Sequence, residues 1–428
     1  MTPISKSFFV FLLALTGTSG FSQSNHSRLH PNAPRFIGDL EMTGPEYRHL
    51  LDHAGFNLLD DSETNDPLRI ILAIGKRNLD WLSFINATRD GQSKLELSTP
   101  ATQQGIPMTN PRVSNRTIIA DGWNGLKSRL SSVVSDVLFN NQPLTTDLGV
   151  SDDEFLYEVR QVDYYYQMAS RWLLQEPWLD QYAQESTYDV RGYYFLQREP
   201  ELESKLSRFE NLHPAKQAEL KTWLIQECIN ATQTKASCKT DLEQAIQSTR
   251  VLEYHRQHVG PAQELWNAFF RIDAFRSDVS WLADQPNIMT IPFRDPHAPA
   301  VMDWLRENIQ DEFKWHDWAL NLRFQPDGDD SVTHIVFKDG ATPHVNELAG
   351  SEITMDGNRN IDEYSSRWTI RHEYGHVLGL PDCYIEFYDT EKAVMINYQL
   401  DITNLMCSRR GKLQQIHIDE LKRVYFRP

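Results

Sequence analysis

The chain has 428 residues, 40% of them hydrophobic and 11% aromatic, which is ample for a sizeable core and more than one ordinary domain supplies. Its formal net charge of -17 excludes a surface of clustered Lys and Arg for phosphate backbones, so no nucleic-acid partner is expected. Acidity of this kind serves solubility.

Residues 1–22 carry a basic Lys6, an apolar run over 8–15 and small residues through Gly20, the order of a secretory signal peptide. That run falls short of the roughly 20 residues that span a bilayer, and no later segment reads as transmembrane. The expected location is therefore extracellular or periplasmic. Outside the reducing cytosol, Cys228, Cys238, Cys383 and Cys407 can form disulfides. Several connectivities are open, and proximity favours Cys228 with Cys238 and Cys383 with Cys407.

Residues 23–285 read as a mainly helical region. Ser151 and Glu154 form a capping box ahead of Phe155, Val159, Val162, Tyr166, Ala169 and Leu173, which recur at helical spacing. A second box, Thr240 with Glu243, is expected to start another helix. Two further stripes, Leu202, Leu206 and Phe209, then Leu220, Trp223 and Leu224, are separated by a break at His213 and Pro214. Residues 103–115, with Gly105, Pro107 and Pro111, read as a loop. The aromatics Tyr164, Tyr165, Tyr166, Trp172 and Trp178 read as core or helix contacts rather than a carbohydrate platform. Nothing in this region discloses a function.

Residues 286–428 change character. A strand over 287–293 precedes a helical stripe of Met302, Leu305, Ile309 and Phe313. Trp318, Leu320, Leu322 and Phe324 alternate at the strand period, and strand-like runs follow over 333–338 and 352–355. The pattern predicts a compact α+β domain after the helical region.

That domain contains TIRHEYGHVLGLPD, residues 369–382. Residues four apart share a helix face, so His372 and His376 can offer two imidazoles to one ion while Glu373 points at a water upon it. Gly379 can leave the helix through a left-handed conformation, and the turn brings Asp382 back to the ion. Two neutral histidines, a carboxylate and a water make a catalytic zinc set. The carboxylate adds negative charge, so the water should be less acidic than with three histidines. Asp356, Asn358 and Asn360 imitate the start of a calcium loop, but Ile361 and Arg367 stand where its glycine and closing glutamate belong. A solvated turn is the better reading there, with Ca2+ a secondary one. His316, His334 and His344 have no ligand-like spacing.

His372, Glu373, His376, Gly379 and Asp382 resemble the long zinc signature of the metzincin metallopeptidases, in the snapalysin-like variant whose third ligand is aspartate. The resemblance covers residues 286–428 and implies one catalytic Zn2+ and a twisted sheet with an active-site helix. It makes Asn404, Leu405 and Met406 a Met-turn beneath the zinc, with Met406 structural, and residues 413–423 a C-terminal helix. It further implies a substrate-binding edge strand, for which 342–348 is the segment that fits. Stacking the Met-turn under the zinc would bring Cys383, which follows Asp382, near Cys407, which follows Met406. No tyrosine follows the Met-turn where astacins and serralysins supply an extra ligand, so the oxyanion helper is unassigned. Residues 36–39, Phe-Ile-Gly-Asp, resemble the FxGD element by which astacin propeptides place an aspartate, here Asp39, on the zinc. The long helical region has no counterpart in snapalysin-like enzymes.

The expected function is a secreted zinc-dependent endopeptidase that hydrolyses a protein or peptide substrate with Glu373 as general base. The alternative is a secreted binding or structural protein with a vestigial or structural metal site. Glu373 argues against it, because a structural site has no use for a base.

Overall fold

The computed structural model describes residues 39–54, 65–102, 104–326 and 330–427, so the expected signal peptide lies outside the described residues. The first helix, α1 (Gly44–His53), starts from a capping box of Thr43 and Glu46, and α2 (Pro67–Asn86) from the side chain of Asp66. A short strand, β1 (Arg112–Ser114), precedes α3 (Arg116–Lys127) and α4 (Ser132–Phe139), which Asn115 and Ser131 cap. The long α5 (Asp152–Gln175) opens on the Ser151 and Glu154 box and buries Phe155, Val159, Val162, Tyr166, Ala169 and Leu173 against α2. Tyr166 and Trp172 are buried while Tyr164 and Trp178 are exposed, so these aromatics form no single surface.

A second helical cluster follows: α6 (Leu179–Glu185), α7 (Arg191–Arg198), α8 (Leu202–Leu206), α9 (Pro214–Thr232), α10 (Cys238–Gln247) and α11 (Val251–Ala268). His213 caps α9 with Pro214 at its first position, where the missing N–H costs nothing. The helix expected to start at Thr240 begins earlier, at Cys238. The Cys228–Cys238 disulfide ties its first residue to α9.

The remaining elements build the α+β part. They are β2 (Trp281–Leu282), β3 (Ile288–Arg294), α12 (Pro299–Leu305) with a π-helical turn through Gln310, β4 (Lys314–Trp315), β5 (Trp318–Gln325), β6 (His334–Lys338), β7 (His344–Val345) and β8 (Glu352–Asp356). β3 runs parallel to β5 and β6 parallel to β8, and a bridge between Phe293 and Thr333 joins the two pairs. β7 pairs antiparallel with β8, and β4 antiparallel with β5. Against β7 and β8 lies α13 (Tyr364–Val377), which sends Ile370, Tyr374 and Val377 into the core.

After α13 comes a hairpin that the sequence reading did not include, β9 (Tyr384–Asp389) and β10 (Val394–Gln399). β1 pairs with β10, which is why part of the expected loop at 103–115 is extended: its partner is supplied from nearly 300 residues downstream, about as far as Ile106 lies from Gln399, 293 positions apart. The chain ends in α14 (Gln415–Tyr425) and β11 (Phe426–Arg427), which runs parallel to β2. Leu40, Ile106, Met108, Val190, Phe269 and Ile272 pack in one apolar core with residues of the sheet and α13, while Met395 packs among the helices. The core therefore crosses the line drawn at 285/286.

Candidate metal centre

Helical spacing puts His372 and His376 on one face of α13, and their rings lie edge to face with centroids 4.9 Å apart. The helix stops at Leu378. Gly379 takes φ +82° and donates to the carbonyl of His376, while Leu380 donates to that of Gly375. A Cβ on Gly379 would also stand 2.2 Å from the carbonyl oxygen of Ala274, so both conformation and space require glycine. The turn delivers Asp382 to the two imidazoles.

Nε2 of His372 and Nε2 of His376 lie 3.2 and 3.3 Å from Oδ1 of Asp382. An ion with tetrahedral bonds of about 2.0–2.1 Å holds its ligands roughly 3.3 Å apart, so the three residues could hold a metal ion of that size. These three residues form the one group of metal-type donors found among the described residues, with all donor atoms within 4.8 Å. The other ring nitrogens are committed: Nδ1 of His372 donates to Leu405 O at 3.0 Å and Nδ1 of His376 to Leu380 O at 2.9 Å. Such outer bonds fix the tautomer and leave Nε2 free to face a cation.

All three groups are buried, which opposes charge on each. Burial presses the His372 imidazole down, but the bond and charge of Asp382 outweigh it and carry it up to about 10. His376 is raised against burial by the same carboxylate, and Asp382, despite burial, is held well below the usual carboxylate range by the two rings. The pocket is thus built to hold positive charge, and a divalent ion entering it would displace protons. Beside it Glu373 is 6% exposed, and its buried Oε2 has no hydrogen-bond partner. Such an oxygen can accept a hydrogen bond from a bound water or substrate.

Below the helix, Met406 is buried against Gly375, whose Cβ would stand 2.3 Å from its Sδ. Asn404 holds the turn: its Oδ1 accepts from Met406 N at 2.8 Å and faces His417 Nε2 at 2.9 Å. Burial pushes His417 down to about 4, so it is neutral. Cys383 N donates to Met406 O, and the Cys383–Cys407 disulfide ties the residue before β9 to the residue after Met406.

Several residues around the site were not singled out from sequence. Tyr384 bonds the carboxylate of Asp382 and is buried. Its one sequence signal is position, two residues past Asp382 at the start of β9. Arg409, three residues past Met406, holds Asp39 Oδ2 at 2.7 Å and Glu46 at 3.2 Å. Arg171 holds Glu386 through two bonds of 2.7 Å. Phe36, Ile37 and Gly38 lie outside the described residues. Asp39 adds its negative charge near His372, but its carboxylate accepts from Arg409 and from Glu41 N, and it is not one of the three grouped ligands.

At the segment of the secondary calcium reading, the turn itself uses the side-chain oxygens. Asp356 is 5% exposed, its Oδ1 accepts from the backbone N–H groups of Gly340 and Asn358, and Asn360 Oδ1 accepts from Asp362 N. These oxygens are spent on the turn, as Asx side chains commonly are. His334 and His344 each bond a carbonyl two residues back, at Val332 and Thr342.

Comparison of the chain with protein-family models, with curated proteins and with solved structures returns no match. Two disulfides are present, and no described helix is long and apolar enough to cross a membrane.

Proposed function

We propose that the chain is a secreted, zinc-dependent endopeptidase. The observation that carries this reading is the convergence of two imidazole Nε2 atoms and one carboxylate beside Glu373, whose Oε2 is buried and unpartnered. A structural metal site needs no such base, and the resemblance to metzincins points the same way.

His372, His376 and Asp382 would hold the zinc, which supplies Lewis-acid polarisation of the scissile carbonyl and acidification of a water. Glu373 takes the proton of the attacking water and passes it to the leaving amine, the ordinary exchange of a general base turned acid. Nδ1 bonds to Leu405 and Leu380 keep both rings oriented throughout. The substrate backbone would extend along β7, whose outer edge has no strand partner among the described residues, and pair with it as an added strand. A protein or peptide substrate suits such a site because an edge strand recognises main chain before side chain.

The deciding experiment is digestion of an unfolded protein by the purified chain, with and without a chelator and with zinc restored. Cleavage that stops on chelation and returns with zinc supports the reading. Zinc bound tightly with no cleavage of any unfolded chain would favour the binding or structural alternative.

A further inference from the structure

We propose that Arg171 is a positioning residue for the metal centre, through which the N-terminal helical region holds the third ligand in place. The inference rests on the metal reading above and extends it to a part of the chain for which the sequence suggested no role.

The argument starts at Asp382, two residues before β9. Tyr384 and Glu386 occupy alternate positions of β9 and so share one face of it. Tyr384 bonds the Asp382 carboxylate, and Glu386 receives Arg171 from α5, Nε to Oε1 and Nη2 to Oε2, each at 2.7 Å. Asn397 on the neighbouring strand adds a bond to Glu386 Oε1 at 3.3 Å. Arg171 and Glu386 are 5% and 1% exposed, so both bonds are shielded from water.

The same guanidinium reaches further. Its Nη1 donates to Asp39 O at 3.0 Å and to the Tyr47 hydroxyl at 2.8 Å. Asp39 in turn gives Oδ2 to Arg409, and Glu41 accepts from Arg409 N and Ser408 Oγ. The ring closes in part through the backbone: Asp382 to Tyr384, along β9 to Glu386, then Arg171, Asp39 and Arg409, and along the chain to Met406, whose O accepts from Cys383 N. It joins the third ligand to the floor of the site by way of α5 and the segment at 39–47. A planar fork with five donors can hold a carboxylate through two bonds while serving two further acceptors, which a lysine with three donors cannot.

A buried ion pair alone says little about stability, since apolar residues of similar volume often replace one without loss. That separates a positioning role from a structural one. Arg171→Met combined with Glu386→Leu should keep the full-length protein folded yet weaken zinc, measured by competition with a chromophoric chelator, by about 10–100-fold, the usual effect of losing an outer-shell partner. The visible spectrum of the Co2+-loaded variant should change, since it reports ligand geometry. Arg171→Lys retains charge without the fork and should fall between. Leu224→Ala, in the second helical cluster away from the ring, should lower stability and leave zinc affinity unaltered.

Zinc affinity and Co2+ spectrum equal to wild type in the folded double variant would overturn the inference. Wild-type protein that binds no zinc would overturn the metal reading itself, a separate result. Should the double variant not fold, Tyr47→Phe deletes one bond to Arg171 at little structural risk. It should weaken zinc in the same direction, and unchanged affinity there counts against the proposal.

Discussion

Sδ of Met406 lies 2.3 Å from the position that a Cβ on Gly375 would occupy, so α13 and the turn beneath it pack closely where residue 375 has no side chain. Ala is favoured over Gly within a helix by about 1 kcal/mol, whereas overfilling a packed site costs about 1–3 kcal/mol. Packing should win, and Gly375→Ala should lower the stability measured by urea unfolding. Met406→Ala in the same chain should recover part of that loss. Strictly additive effects of the two changes would show that the contact does not matter.

Glu373→Ala should leave zinc content and fold intact and reduce peptide hydrolysis by about 10^2–10^4-fold, the range of a general base. The base is not a ligand, so its removal stops proton transfer without opening the site. Activity within a few-fold of wild type in a zinc-loaded variant would sink the mechanism.

Asp382→Ala leaves two protein ligands and should cost zinc affinity heavily in a chelator competition. Asp382→His should retain the ion, since an imidazole can fill the same tetrahedral place. The charge at the ion then rises by one unit, so the acidic limb of the pH–rate profile should move to lower pH. A shift to higher pH contradicts the role given to the carboxylate.

Replacing Cys383 and Cys407 together by Ser frees the start of β9, which carries Tyr384 and Glu386, from the turn at Met406. Loops of this length lose about 3 kcal/mol when their disulfide is removed, and the thermal midpoint should fall accordingly. Peptide mapping without reduction should recover Cys383 joined to Cys407 and Cys228 joined to Cys238. A cross-linked peptide containing one cysteine from each pair would contradict the fold.

Asp163 is 4% exposed and lies where a Cβ on Gly44 would stand 2.1 Å from its Oδ1. Burial, opposed in part by the Gln167 bond and Arg359, raises it to about 7, against about 3.9 in an unfolded chain. The raised value favours the folded state while the group is protonated there. That stability is complete below about pH 4 and is lost as pH rises through about 7, with an upper bound of about 4 kcal/mol. Asp163→Asn cannot ionise, so its unfolding free energy should fall less than that of wild type between pH 4 and pH 8. Parallel pH profiles for the two proteins would show that the carboxyl is not buried in this way.

What lay within a few residues was legible in the sequence. Helical periodicity alone set His372, Glu373 and His376 at their positions, the left-handed turn called for Gly379, and the Ser151 and Glu154 box marked where α5 begins. Backbone dihedrals and caps act over one or two turns, so their causes and effects sit side by side in the chain. The β9–β10 hairpin left a weaker local trace, two β-rich runs about a polar turn at 389–393. Tertiary structure alone decided that Arg171 meets Glu386 across 215 residues, that Arg409 meets Asp39 across 370, and that β1 finds its partner in β10. Such pairs have no period and no spacing to read. They form because hydrophobic burial of both halves in a shared core brings distant charges together, and once water is excluded each buried charge must find its partner there.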